Sequence, residues 1–316
     1  MGPTVNAMRY PFVVCLLSLA LTACQSLGVG DSNREHLVSR YSDEHARFIE
    51  VEGVRVHAHA AGEGPAVLML HGALDSLQVW DGWAAHLVAD YHVIRIDIPP
   101  FGLSDPMPDG DYDADHFIPV FSGVLDAYGV DRATVVGNSL GGYLAAYYAA
   151  HAPARVEALA LISPAAYPQP LPGVLRLAAM PVFGSLFEVA TPRALVRRSM
   201  RSMYGDPQRL SDEAVQRRFD MIRAPGNRQA ARDVIRLMAE MRDEEPVWIS
   251  RITQPTLLIW GEEDAWVPPE LAQRWLDDLE DGRLVLYPSV GHLAMEEIPE
   301  TSVAEFRRFL SVLFEC

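Results

Sequence analysis

The segment that most restricts the fold of this 316-residue chain is Gly137-Asn138-Ser139-Leu140-Gly141. It follows the predicted strand Ala133-Thr134-Val135-Val136-Gly137, whose last glycine it shares, and leads into the segment 140–151, whose composition favours a helix. A serine in the pattern Gly-x-Ser-x-Gly between a strand and a helix occupies a sharp, strained turn. Glycines on both sides remove side chains that would collide with neighbouring backbone. The sequence therefore predicts a strand–turn–helix unit that lifts the Ser139 hydroxyl off the sheet, beside a helix N-terminus that favours negative charge.

Strands and helices alternate along most of the chain. Strands are predicted at residues 48–51, 54–60, 66–70, 92–96, 133–137, 156–162, 256–260 and 284–287, and helices at 114–128, 140–151 and 302–314. This alternation is typical of a mostly parallel sheet with helices on both faces, so the predicted fold class is α/β.

Residues 164–252 interrupt this alternation. They begin with four closely spaced prolines and continue with helical periodicity rich in Arg and Met, without a convincing strand. We interpret this stretch as a helical cap inserted into a core that consists of residues 46–163 and 253–316.

The first 23 residues carry features of an export signal. Arg9 is their only charge, and the apolar run 12–21 is too short to span a bilayer as a normal helix. The run leads into Leu21-Thr22-Ala23-Cys24, which resembles the lipobox of bacterial lipoproteins. The resemblance implies cleavage before Cys24 and attachment of lipid to its sulfur. An ordinary secretory signal and a short membrane anchor are the alternatives.

The residue after the lipobox bears on localisation. Gln25 stands where an Asp would favour retention at the inner membrane, so the resemblance implies an outer-membrane lipoprotein that faces the periplasm. Residues 24–45 are mostly polar and contain Gly28 and Gly30, and we expect them to form a flexible tether. Of the three cysteines, only Cys316 lies beyond the lipobox, so no internal disulfide is predicted in the mature chain.

The charge balance bears on possible partners. The formal net charge is −16, and all 26 basic residues are Arg. Nucleic acid requires a basic surface, so a nucleic-acid partner is not expected. The absence of Lys fits either a GC-rich genome or an acidic surface adapted to salt. Neither interpretation bears on the reaction.

Several further motifs resemble those of the α/β-hydrolase family in the same order, over nearly all of residues 46–314. Besides the serine turn they are His71-Gly72, Asp97-Ile98-Pro99-Pro100-Phe101-Gly102, Gly261-Glu262-Glu263-Asp264 and Gly291-His292. Pro100 departs from the usual Asp-x-Pro-Gly-x-Gly form. The resemblance implies a nucleophile, an acid and a base in chain order, here Ser139, Asp264 and His292.

The position of each candidate supports these roles. His292 follows the last predicted strand and a glycine, whereas the other nine histidines lack such a context. Asp264 follows strand 256–260, and no acid follows the preceding strand at Ser163. Glu262 and Glu263 are expected to be solvated. The resemblance also implies that the backbone N–H groups of Ala73 and Leu140 form an oxyanion hole, and that His71 is structural.

The residues around the predicted site give only a general view of the ligand. Phe101 is expected to line the substrate pocket, and Trp80 and Trp83 to belong to the core. The cap offers Met180, Phe183, Phe187, Met200, Met203 and Tyr204 as apolar surface. No cofactor is implied, and the sequence contains no metal-binding motif.

The expected activity is hydrolysis of carboxylic esters or lipids through an acyl-enzyme. Carbon–carbon bond hydrolases share the Gly-Asn-Ser turn, although many carry Trp where this chain has Leu293, and cofactor-free perhydrolases need the same three residues. Dehalogenases and epoxide hydrolases use an Asp nucleophile instead. A catalytically silent, membrane-anchored binding protein is the alternative from another class. Acyl chain length and oligomeric state stay open.

Overall fold

An eight-stranded sheet forms the centre of the protein, whose computed structural model describes residues 26–241 and 245–314. The strands are β1 Ala46–Val51, β2 Val54–Ala61, β3 Ala66–Leu70, β4 His92–Ile96, β5 Ala133–Asn138, β6 Val156–Ile162, β7 Thr256–Gly261 and β8 Gly282–Tyr287. Their spatial order is β1-β2-β4-β3-β5-β6-β7-β8. Strand β2 runs antiparallel to β1 and β4, and the remaining pairs are parallel. The predicted α/β class with a mostly parallel sheet is therefore confirmed.

Helices cover both faces of this sheet. The α-helices are α1 Arg34–Tyr41, α2 Asp81–Leu87, α3 Ala114–Ala127, α4 Leu140–His151, α5 Gly173–Ala179, α6 Pro181–Val189, α7 Arg193–Arg201, α8 Asp212–Ile222, α9 Asn227–Met241, α10 Glu270–Asp278, α11 Ala294–Glu297 and α12 Pro299–Phe314. Strands β5 and β7 are buried along their whole length, which explains their continuous apolar sequences.

Two apolar layers enclose the sheet. One includes Phe121 and Leu144 from α3 and α4, and the other includes Trp83 and Phe306 from α2 and α12. Trp80 and Trp83 are fully buried, as predicted for core residues. The sequence analysis missed α2, a short helix that contains glycine and tryptophan. Burial of Trp83 against Phe306 stabilises it in place of intrinsic helix propensity.

The region between β6 and β7 is helical. Its described residues form α5 to α9 and contain no β-strand. Helices α5 and α6 pack on α9, and α7 packs on α8. This layer stands over the carboxyl ends of the parallel strands, where the loops of the sheet converge.

Residues 26–45 do not form the flexible tether that their composition predicted. Helix α1 begins after Asn33, whose side chain accepts a hydrogen bond from the His36 N–H. Leu37 is buried against Leu103 and Met221. Val38 and Tyr41 pack partly buried beside it, and the Tyr41 hydroxyl donates to the Asp220 carboxylate over 2.8 Å. The polar composition of the segment did not reveal these contacts.

The stretch before α1 is also attached to the cap. The Ser32 N–H donates to the Arg223 carbonyl over 2.7 Å, and Asp31 pairs with Arg228 at 2.7 Å. The predicted signal segment 1–23 and the predicted lipid site Cys24 lie outside the described residues. Within the described ranges, no helix has the length and apolar character needed to cross a membrane.

Candidate active site

The serine turn has the strained backbone that its glycines predicted. Ser139 lies between β5 and α4 with φ 56° and ψ −117°. A Cβ atom on Gly137 would lie 2.2 Å from the Gly141 carbonyl oxygen, and one on Gly141 would lie 2.3 Å from the Leu70 carbonyl oxygen. No side chain fits at either position. The turn therefore projects Ser139 from the carboxyl end of β5.

The predicted acid and base form a buried pair. The Nδ1 atom of His292 lies 2.8 Å from Oδ2 of Asp264. The second carboxylate oxygen of Asp264 accepts hydrogen bonds from the backbone N–H groups of Trp266 and Val267, at 2.8 and 2.9 Å. Because three donors surround it, this carboxylate has one fixed orientation. Its neighbours in sequence, Glu262 and Glu263, are exposed as expected.

The other ring nitrogen of His292, Nε2, is available on the side of the cavity that Ser139 also lines. Both His292 and Ser139 line this cavity, and Nε2 of His292 has no hydrogen-bond partner among the described residues. Asn138 ties the two segments together, because its Nδ2 donates to the carbonyl oxygens of Ile162 and His292, each over 3.1 Å. The structure thus brings the three predicted catalytic side chains to one place.

A buried glutamate that the sequence analysis missed holds the loop that carries Gly291 and His292, which we call the histidine loop. Three backbone N–H groups donate to the Glu297 carboxylate over 2.9–3.1 Å, those of Gly205, Asp206 and Gly291. Arg209 of the cap donates to the same carboxylate at 3.1 Å. The His292 N–H in turn donates to the Met203 carbonyl over 2.6 Å. A cap loop and the histidine loop are therefore fastened to each other through Glu297.

The predicted oxyanion donors lie beside Ser139. Leu140 is the first residue of α4, so its N–H has no acceptor within the helix. Ala73 and Gly72 line the cavity together with Ser139. A Cβ atom on Gly72 would lie only 3.2 Å from the Ser139 Cβ, so glycine allows this loop to approach the nucleophile.

His71 has the structural position that was expected. Its Nδ1–H donates to the Gly72 carbonyl over 2.7 Å, and its Nε2 accepts from the Ile98 N–H over 2.9 Å. Burial lowers the pKa of His71, which favours the neutral ring that these two bonds require. Both nitrogens are engaged, so His71 supports the loop that carries Ala73.

Phe101 does not lie where the sequence analysis expected it. Its side chain is buried in a separate small cavity with Leu74 and Gly102, and it is absent from the walls of the Ser139 cavity. Gly102 has φ 60° and approaches the Asp97 carboxylate so closely that no Cβ would fit. The Phe101 ring lies edge-on to the His71 ring, with the ring centroids 6.1 Å apart. The Ser139 cavity of this structure therefore lacks the Phe101 side chain that the sequence analysis placed in it.

The cap wall of the cavity contains an ion pair that the sequence did not indicate. Arg218 of α8 donates to the Asp75 carboxylate, and both side chains are at least 95 % buried. Apart from His292, Arg218 is the one basic residue among the described residues that line the cavity. Leu175, Met203, Met238 and Trp266 supply apolar surface around it. The cavity is therefore mainly apolar, and its cation has a partner within the protein.

The free space divides into two parts. The cavity beside Ser139 has about 30 Å³, and a neighbouring groove has about 330 Å³. Four residues border both spaces, Ala165, Gln169, Leu171 and Met238. Within the described part of the chain, no three His, Cys, Asp or Glu residues converge into a group that could hold a metal ion.

Comparison with known proteins agrees with this geometry. The profile of a family described as alpha/beta hydrolase fold matches residues 65–299. A 2-hydroxy-6-oxononadienedioate/2-hydroxy-6-oxononatrienedioate hydrolase of Cupriavidus pinatubonensis is 28% identical over 270 residues, which is 80% of this chain and 90% of that protein.

Solved structures share the fold. A meta-cleavage product hydrolase from Pseudomonas fluorescens IP01 has a TM-score of 0.75 and 23% identity, covering 84% of this chain and 98% of its own. A membrane phospholipase A, described as a bacterial virulence factor, also has a TM-score of 0.75 and 23% identity, and it covers 96% of this chain and 98% of its own. At this level of identity, the two structures support the architecture alone.

Proposed function

Because this chain belongs to the α/β-hydrolase family, we propose that it cleaves carboxylic esters with an uncharged, apolar acyl group through an acyl-enzyme on Ser139. The hydrolase class follows from the family match and the hydrolase relatives. The ester bond and the individual catalytic roles are the proposal. The observation that carries it is the ion pair between Arg218 and Asp75, which leaves the apolar cavity without an available cation for an anionic substrate.

The positions of the three side chains allow the following reaction. His292 Nε2 accepts the Ser139 proton while the hydroxyl oxygen attacks the acyl carbon. Asp264 keeps the proton on Nδ1 and stabilises the imidazolium that forms. The N–H groups of Ala73 and Leu140 stabilise the oxyanion. His292 then protonates the departing alcohol, and water repeats the sequence to release the acid and regenerate Ser139.

The two connected spaces indicate how a substrate would lie. The small space beside Ser139 admits the reacting carbonyl group and little more. The larger groove, bordered by Tyr143 and Trp248, offers apolar surface for a longer chain. Gln169, Leu171 and Met238 stand between the two spaces, so a bulky substrate requires these side chains to move apart.

Carbon–carbon bond hydrolysis is the second candidate, and the named sequence relatives favour it over ester hydrolysis. Their substrates, such as 2-hydroxy-6-oxo-6-phenylhexa-2,4-dienoate, are carboxylates by name. The same Ser139, His292 and Asp264 would serve this reaction. Such a substrate would have to compete with Asp75 for Arg218 within a desolvated cavity, and this competition is the reason that we rank it second.

One comparison of substrates tests both candidates. We expect the wild-type protein to hydrolyse p-nitrophenyl esters within a series from acetate to palmitate, and Ser139→Ala to lower kcat by a factor on the order of 10⁶. The dienoate is assayed in parallel at the same concentrations. Turnover of the dienoate without turnover of any ester would replace the first candidate with the second. If neither turns over and a fluorophosphonate probe fails to label Ser139, the chain is a silent binding protein.

A further inference from the structure

Helix α6 exposes apolar side chains where a surface helix normally carries charge. Val182 is 78% exposed, Leu186 is 61% exposed and Val189 is 60% exposed. Met180 and Phe183 are about half exposed beside them. The spacing of 182, 183, 186 and 189 places these residues along one side of the helix. A contiguous exposed surface of this kind marks an interaction site more often than chance packing.

The opposite side of α6 attaches the helix to the cap. Gly184 is buried and lies so close to Arg232 and the Ala178 carbonyl that a Cβ would not fit. Glu188 is the single charged residue of α6, and it pairs with Arg232 of α9. The only charge of the helix is therefore neutralised on the inner side. The outer side carries none, in a chain with a net charge of −16.

The N-terminal segment extends the same apolar surface. Val29 forms a β-bridge with Ala190, and the Gly30 N–H donates to the Val189 carbonyl over 3.3 Å. Leu27 and Val29 are about half exposed at this junction. We call the combined surface the apolar cap stripe; it consists of Leu27, Val29, Leu177, Met180, Val182, Phe183, Leu186 and Val189.

The sequence that precedes the stripe identifies its occupant. Ser26, the first described residue, lies two positions after Cys24, the predicted lipid site, and five positions after the end of the uncharged, apolar run 12–21. A lipid on Cys24 or, where the signal is kept, the run 12–21 would attach the chain to a bilayer close to Leu27 and Val29, at the edge of the stripe. A water-soluble protein partner gives no reason for apolar surface at this attachment point, whereas a bilayer accommodates the stripe and the attached apolar group together.

We propose that the apolar cap stripe rests in a lipid bilayer, at the depth of about 5–10 Å that is usual for interfacial helices. Helix α7, which follows the stripe along the chain, contains four Arg residues, and two of them, Arg198 and Arg201, are exposed. Anionic headgroups would attract this helix despite the negative charge of the whole chain. Leu175 lies on α5 beside the stripe and also lines the Ser139 cavity, so the cavity would lie close to the membrane surface.

Fluorescence quenching measures whether the stripe contacts lipid, without reference to the bond that the enzyme cleaves. The full chain carries Cys15→Ser, Cys24→Ser and Cys316→Ser, so that Val182→Cys provides the only thiol for an environment-sensitive nitrobenzoxadiazole label. It is reconstituted into vesicles of phosphatidylethanolamine and phosphatidylglycerol that contain spin-labelled lipid. The matched control is Val312→Cys. Val312 lies on α12, which belongs to the α/β core rather than to the cap, and its side chain is 66% exposed to solvent.

We expect the label at position 182 to shift to shorter wavelength and lose emission to spin-labelled lipid, and the label at position 312 to do neither. Equal emission at the two positions in vesicle-bound protein would overturn the proposal. A blue shift at position 182 that grows with protein concentration in the absence of vesicles would also overturn it, because the stripe would then be a protein interface.

A second substitution separates lipid contact from mere proximity. Leu186→Glu, added to the labelled Val182→Cys chain, introduces a charge into the stripe without touching the Ser139 cavity. We expect the label to lose its quenching while the chain still floats with the vesicles and still hydrolyses a short soluble ester. Unchanged quenching in this variant would contradict insertion of the stripe. If the labelled Val182→Cys chain without Leu186→Glu fails to hydrolyse esters but is still quenched by the lipid, that result counts against the proposed function and leaves the bilayer proposal intact.

Discussion

The Ser139 cavity has two walls that are held in place by different interactions. The sheet wall consists of the loops that carry Ala73, Ser139 and His292, and the cap wall consists of Leu175, Met203, Arg218 and Met238. On the sheet side, backbone groups dominate: the Ser139 N–H donates to the Ile162 carbonyl at 3.0 Å, and two backbone N–H groups orient Asp264. On the cap side, three arginines pair with buried or partly buried acids of the core. These pairs are Arg209 with Glu297, Arg217 with Glu296 and Arg218 with Asp75.

This difference assigns separate tasks to the two walls. Backbone hydrogen bonds do not depend on side-chain identity, so the sheet wall keeps the reacting groups in one arrangement. The cap wall depends on individual charges. Burial alone would raise the pKa of Glu296, but the guanidinium groups of Arg217 and Arg218 and the hydrogen bond from Tyr204 together outweigh burial and lower it. The comparison therefore predicts that substitutions in the sheet wall change the rate of chemistry, whereas those in the cap wall change the choice of substrate.

After the loss of Ser139 itself, the largest effect is expected in the sheet wall, at Asp264. Asp264→Asn preserves the size of the side chain but favours the wrong tautomer of His292, so kcat should fall by about 10⁴. The exposed neighbour Glu263 provides the control, and Glu263→Gln should leave kcat unchanged. The measurement is steady-state kinetics on two esters of different acyl length. Full activity in Asp264→Asn would show that another group orients His292.

The junction between the two walls should show an intermediate effect. Glu297→Gln turns one acceptor of the buried carboxylate into a donor that faces backbone N–H groups, so the loops carrying His292 and Gly205 should separate. A displacement of about 1 Å at a catalytic group can lower the rate by about 10². We expect kcat to fall with KM nearly unchanged, because the substrate-binding wall keeps its own contacts.

Glu296→Gln is the matched control for this positioning role. The Glu296 carboxylate accepts hydrogen bonds from Arg217 and Tyr204 of the cap, whereas the Glu297 carboxylate accepts from the Gly291 N–H beside His292. We expect this variant to alter KM more than kcat. If both variants change kcat and KM in the same proportion, the division of tasks between the two walls is wrong at this junction.

The two walls also differ in how far the sequence predicted them. Ser139, Asp264 and His292 were predicted because each depends on a local signal: the glycines of the elbow, or a position directly after a strand. The Arg218–Asp75 contact joins residues 143 positions apart, and the contact of Glu297 with Gly205 joins residues 92 positions apart. No local pattern marks such pairs, because they form only when the cap folds onto the core.

Two expectations from the sequence, for Phe101 and for residues 26–45, differ from the structure for a similar reason. Phe101 was expected in the cavity because its loop follows a strand near the site, but its ring is buried beside the His71 ring. Residues 26–45 were expected to be a tether because they are polar, but Leu37 docks on Leu103 and Met221. In both cases tertiary contacts, which no local sequence pattern marks, decided the outcome.

The smallest effect is expected in the cap wall, as a change of preference rather than a loss of activity. Asp75→Asn removes the partner charge of Arg218 and leaves a buried cation that faces the cavity. An acyl group that ends in a carboxylate can then replace Asp75. We expect the ratio of kcat/KM for the p-nitrophenyl monoester of succinate to that for p-nitrophenyl butyrate to rise by about tenfold, equivalent to about 1.4 kcal/mol.

The control for this change is Asp90→Asn, which removes the partner of Arg307 at the surface, away from the cavity. It should leave the ratio as it is in the wild-type protein. A rise in the ratio for Asp75→Asn without a rise for Asp90→Asn would establish that the ion pair excludes anionic acyl groups. If the wild-type protein already prefers the succinate ester, Arg218 accepts substrate carboxylates despite Asp75. The dienoate substrates of the carbon–carbon bond hydrolases would then become the better candidates.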